Sequence, residues 1–104
     1  MSRSSTDIAM KMYHVRGETL LAACDAELLG RTLSEGILRL EVRESFYREV
    51  LVDREGLKNA LKIATIANLV GERAVGVAIE LGCVAEENVL YIEGVPHAQM
   101  ARML

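Results

Sequence analysis

Two short stretches set polar chemistry among apolar neighbours: Ala67-Asn68-Leu69-Val70-Gly71-Glu72-Arg73-Ala74 and Val95-Pro96-His97-Ala98-Gln99. A sequence written only for packing has no use for an amide, an ion pair and an imidazole there. His97 follows Pro96, which fixes its approach, and stands two residues before Gln99. If the last segment folds back over Asn68–Gly71, Glu72 can orient the imidazole and Arg73 can bind an anion. Asn68, Glu72, Arg73, His97 and Gln99 then form a candidate binding surface, and in the sharpest version a pocket for an enzyme or small-ligand binder. The same residues also read as plain structure. Glu72 at a helix start favours the positive dipole end, Asn68 caps backbone groups, and His97 satisfies a carbonyl at a turn. No residue is assigned a catalytic role.

Basic residues give two further candidates. Arg39, Arg43 and Arg48 with Tyr47 beside them could present an RNA surface, Tyr47 acting as a stacking platform. Glu41 lies between two of these arginines and halves their field, so a solvated strand face is the preferred explanation. Residues 54–73 carry four basic and two acidic groups, which makes Lys58, Lys62 and Arg73 candidate RNA contacts. Their binding would weaken steeply with salt.

Composition narrows the field. The chain has 104 residues, one domain's worth, and a formal charge of −3. That charge is spread as −2 over residues 1–53, +2 over 54–73 and −3 over 74–104. A protein that coats nucleic acid non-specifically needs more cations in one place than this. Cys24 and Cys83 are isolated, and adding His14 and His97 gives no metal-ligand spacing. They read as reduced thiols, with a disulfide between them left open. Neither GxGxxG, a P-loop nor GxSxG is present. No apolar run approaches a membrane span, and no apolar segment follows Arg3 as a signal peptide requires. The expectation is a cytoplasmic protein without a metal or cofactor.

The elements that must position these residues follow from periodicity. Met1–Asp7 reads as a flexible tail, and residues 8–104 as a single domain. Ile8–Val15 and Thr19–Cys24 read as strands joined at Arg16-Gly17-Glu18. Asp25 reads as the cap of a short helical turn, Ala26–Leu29. Leu38, Leu40 and Val42 alternate with Arg39, Glu41 and Arg43, a half-buried strand. Glu44–Glu49 reads as a connection, with Val50–Val52 returning to the sheet. Asp53 caps a helix whose buried stripe is Leu57, Ala60, Leu61 and Ala64. That stripe is expected to pack on the sheet face bearing Leu38, Leu40 and Val42. The helix is expected to end near Ala67, with Asn68–Gly71 as a connection and a second helix over Glu72–Leu81. The second helix offers two acids and one base outside its stripe, so sequence-specific DNA reading is excluded. Val89–Ile92 reads as a strand, and Ala98–Leu104 as either helix or strand. The order predicts α+β: a two-layer sandwich, mainly antiparallel sheet with two helices packed on one face.

Three motifs in order, Cys24-Asp25-Ala26-Glu27-Leu28-Leu29-Gly30, Ala67–Ala74 and Gly94-Val95-Pro96-His97-Ala98-Gln99, resemble an archaeal family catalogued as domain of unknown function 424. The resemblance covers about residues 10–104. It implies an archaeal, cytoplasmic two-layer α/β sandwich, in a family that has no established enzymatic activity or cofactor and has at times been labelled RNA-binding. Together these readings make the chain a small non-enzymatic binding module. Its expected partner is structured RNA or a translation-associated protein, with no membrane and no sequence-specific DNA. The alternative is the enzyme or ligand pocket around Asn68, Glu72, Arg73 and His97. The oligomeric state stays open.

Overall fold

Arg16 and Gly17 both adopt positive φ, 51° and 82°, the requirement of a two-residue turn that matches the twist of an antiparallel pair. That turn joins β1 (Ile8–Val15) to β2 (Glu18–Asp25), paired along their whole lengths from Val15↔Glu18 to Ile8↔Asp25. A computed structural model describes residues 5–102, and β1 and β2 lie inside a six-stranded sheet. Its other strands are β5 (Val50–Val52), β6 (Ile66–Val70), β7 (Leu90–Ile92) and β8 (Val95–Ala101). The order across the sheet is β5-β1-β2-β6-β8-β7. β2 and β6 run parallel and the other neighbours antiparallel. The edge strands are short. β5 covers only Ile8–Met10 of β1, and β7 only Val95–His97 of β8.

Two helices supply the parallel crossovers and pack on one face. Asp53 caps α2 (Arg54–Ile63), its carboxylate accepting from Gly56 N–H at 2.9 Å. α3 (Glu72–Glu80) follows β6 after Gly71 alone. Leu57, Leu61 and Val77 close over Ile8, Leu21 and Leu69 of the sheet, all fully buried. The opposite face carries Ala9, Cys24 and Val70. Over these lie a separate hairpin, β3 (Thr32–Glu35) and β4 (Leu38–Glu41), and the one-turn helix α1 (Glu44–Tyr47). This is the expected α+β class, with a two-stranded sheet added. No helix among the described residues is long and apolar enough to cross a membrane.

Several local expectations are corrected. The Leu57–Leu61 stripe does not pack on Leu38, Leu40 and Val42: those belong to the second cluster, on the other side of the sheet. β4 is half-buried, as its alternation predicts, but its buried side roofs the sheet instead of extending it. α2 stops at Ile63, four residues early. Ala64 turns extended, and Thr65 is locked to β2, its Oγ1 accepting from Thr19 N–H and its N–H donating to Thr19 C=O. The segment expected to connect two helices, Asn68–Gly71, therefore belongs mostly to the central strand β6, so the helices are not a turn-linked pair. Glu44–Glu49 begins with the one-turn helix. The final segment is strand through Ala101. The tail expectation falls partly on residues 1–4, outside the described residues; Asp7 is fastened, its C=O accepting from Ala26 N–H.

Candidate functional site

At one end of the sheet a buried carboxylate closes the fold. Asp25, the last residue of β2, does not cap the turn that follows it; that turn has no side-chain cap. Its carboxylate reaches the start of α3 and accepts from Arg73 N–H at 3.1 Å and Ala74 N–H at 2.9 Å. α3 needs this distant cap because its own first position is Gly71. Gly71 holds φ +109°, and a Cβ there would collide with the Asp25 carboxylate. Burial pushes the Asp25 carboxyl above its ordinary range, against the pull of the two N–H groups and the Arg73 guanidinium. Arg73 also meets Asp7 (Nε to Oδ2, 3.2 Å) and Glu27. The Nε itself makes no hydrogen bond, since Asp7 lies off its N–H direction. Partial burial would raise the Glu27 carboxyl, but its own backbone N–H and Arg73 hold it below its ordinary range.

The same face of β6 and β8 carries Asn68 opposite Gln99 and Val70 opposite His97. Asn68 Oδ1 accepts from the Tyr47 hydroxyl at 2.7 Å. His97 Nδ1 lies 3.0 Å from Leu69 C=O; a carbonyl only accepts, so Nδ1 carries the proton and donates. Tyr47 is 2% exposed, packed edge-on to Phe46, and burial with the nearby Cys24 thiol pushes its phenol up. It pins the second layer onto the sheet and has no face free for a base. The Cys24 thiol, buried beside Asp25 and Glu27, is pushed up to about 12, which makes it inert as a nucleophile. Both cysteines are free.

Read across the sheet, the second face has three rows. Ala9, Cys24 and Val70 are buried under the hairpin layer. Ala22 and Asn68 form the next row, partly covered by Tyr47. Tyr13, Leu20 and Ile66 form the last, and there the roof stops. They line a depression of about 430 Å³ with Val15, Phe46 and the flanking Arg16 and Glu18. Val15 is 57% exposed, and Phe46 stacks on Tyr13 with ring centres 5.4 Å apart. A second depression of about 290 Å³ shares Leu20 and Ile66 and continues to Asn68 and Gln99.

The five residues of the candidate surface thus divide. Asn68 and Gln99 line the second depression, Glu72 a third beside Asp25 and Pro96, and Arg73 a fourth beside Asp53 and Arg54. His97 is turned to its own sheet. Of the candidate RNA contacts, Lys58 pairs with Glu80 at 3.2 Å and Glu55 at 3.4 Å, and Arg73 with three carboxylates. The Glu80 bond raises the Lys58 pKa and lowers that of Glu80. Lys62 is exposed and outside any ion pair among the described residues. Among those residues no group of three His, Cys, Asp or Glu stands ready for a metal. Two features escaped the sequence reading. The Asp25 cap had a signal, a helix opening on glycine with no local Ser, Thr, Asp or Asn before it. The apolar trough formed by the depression of about 430 Å³ had a weaker one, apolar residues on both faces of β2 without a second helix pair to cover them.

A model of the family described as "Protein of unknown function (DUF424)" matches residues 13–103, and the chain belongs to that family. A crystal structure of an uncharacterized conserved protein from Methanopyrus kandleri is similar, with a TM-score of 0.73 at 24% identity. The match covers 93% of this chain and 95% of that one, and it shows a shared fold. No curated protein matches the chain.

Proposed function

We propose that this member of the family is a non-enzymatic binding module that engages a partner protein through the trough at the uncovered end of the sheet. One observation carries the reading. Tyr13, Val15, Leu20, Phe46 and Ile66 share an apolar depression of about 430 Å³ on a sheet face whose other end is roofed. A protein that lays a second layer over half a face, yet leaves Val15 exposed and Tyr13, Leu20, Phe46 and Ile66 half-buried beside it, keeps them for contact. Asn68 Nδ2 and the exposed Gln99 add amide donors along the same face. The acidic composition and the self-paired Lys58 and Arg73 favour protein over RNA as the partner.

Photo-cross-linking from a benzophenone side chain tests this. Placed at Val15 in cells, it should give a discrete adduct that protease destroys and ribonuclease leaves intact. The same group at Lys58 should give none. Equal adducts from both positions, or a Val15 adduct sensitive to ribonuclease, contradict the proposal.

A further inference from the structure

We propose that the partner contributes an extended, acidic segment that adds as a strand along the free edge of β1, over Met12–Val15. This rests on the trough reading and names what fills it. Along β1, Asp7 C=O faces β2, where it accepts from Ala26 N–H, while Met10 C=O faces outward and accepts from Glu49 N–H. The backbone alternates, so Met12 and His14 also point their N–H and C=O groups outward. β5 ends its pairing at Met10, and no backbone bond among the described residues reaches those two positions from outside. An unpaired ladder of this kind is matched only by another extended polypeptide backbone.

The adjoining side chains set the chemistry of that segment. Tyr13 and Val15 point to the trough side of the edge, so alternate residues of an added strand would lie against them and Phe46. Lys11, Arg16 and Arg48 stand around the same edge, and none is in an ion pair among the described residues. Lys11 instead donates to Ser45 C=O at 3.2 Å and sits 5.1 Å above the Tyr13 ring. Of the nearby acids, Glu18 already accepts from the Thr65 hydroxyl at 2.7 Å, while Glu44 opens α1 and Glu49 follows it. Lys11, held over the Tyr13 ring, and Arg16 at the end of the open edge favour Asp or Glu alternating with apolar residues. β8 also outruns its neighbour β7, but its free length lacks a deep apolar flank of this kind.

Selection of displayed random peptides of about twelve residues against the full chain tests the inference. It should enrich peptides that alternate apolar residues with Asp or Glu. In a synthetic copy of an enriched peptide, N-methylation of alternate residues should weaken binding about tenfold in one parity and leave it unchanged in the other. The double variant Lys11→Glu, Arg16→Glu should bind about tenfold more weakly, and bound peptide should slow exchange of the Met12 and His14 amides. Peptides that require Val15 and Phe46 but tolerate N-methylation in both parities overturn strand addition and leave the trough reading standing. Failure to enrich any peptide, or enrichment of basic ones, also overturns it.

Discussion

At the Asp25 end of the sheet the carboxylate that ends β2 is held by two amides and the Arg73 guanidinium at the start of α3. At the Tyr13 end Tyr13, Val15, Leu20 and Ile66 share an open trough with nothing laid over it. The first region holds most of the residues that look chemical in the sequence. The second holds residues that look like ordinary core. The contrast teaches that charged side chains near a helix start are more often consumed by the fold, whereas an apolar row left unroofed is what a partner can use. Arg73 illustrates the first half: three carboxylates answer its charge before any ligand arrives.

The largest effect should come from breaking the satisfied end. Asp25→Ala leaves the first N–H groups of α3 without a partner and Arg73 with one carboxylate fewer. It should cost about 3 kcal/mol, much of a domain's ~5–15 kcal/mol, read as a lower denaturation midpoint. Its pH dependence has a definite sign. Burial holds the folded carboxyl above its ordinary 3.8, so the native state keeps a proton that the unfolded chain has lost. The contribution of this group is fully present below the unfolded value and declines as pH rises through the raised folded value. In Asp25→Asn that decline should vanish, so the stability gap between wild type and variant should narrow as pH rises above about 4.

A smaller effect is expected at the boundary between the two regions. Tyr47→Phe removes the hydroxyl that donates to Asn68 Oδ1 and should cost about 1 kcal/mol. Because Tyr47 fastens α1 beside the trough, the same variant should also loosen Phe46, visible as faster exchange of the α1 amides. At the bare end the expected stability change is smallest. Val15→Asp should shift the midpoint by no more than about 0.5 kcal/mol, since Val15 is largely exposed and supports no neighbour. A large loss there would mean that the trough belongs to the core, and the comparison between the two ends would fail.

How much of this was legible in the sequence differs element by element. The first hairpin, the Asp53-capped helix, the second helix and the α+β class were readable, because each rests on local turn chemistry or on a period of two or 3.6. The strand over Ile66–Val70 was hidden by its position between two helices. Its apolar residues Ile66, Leu69 and Val70 fall on both faces and so show no alternation, and Thr65, which ends α2 by binding Thr19, does so across 46 residues. The partner of α2 was misassigned for a related reason: Leu38, Leu40 and Val42 announce a half-buried strand but not which side of the sheet it covers. Asn68, Glu72, Arg73, His97 and Gln99 stood out for good cause, yet β6 separates Asn68 from Arg73 by both face and end. Their division is a consequence of register, which no single sequence stretch displays.

The central claim, that the Tyr13 end is the contact surface and the Arg73 end is not, is tested most directly by carbene footprinting of the chain in buffer and in lysate of its source cells. The account predicts that labelling at Tyr13, Val15 and Phe46 falls in lysate while labelling around Glu27, Glu72 and Arg73 stays constant. Unchanged labelling at Val15 together with protection around Glu72 and Arg73 would contradict it.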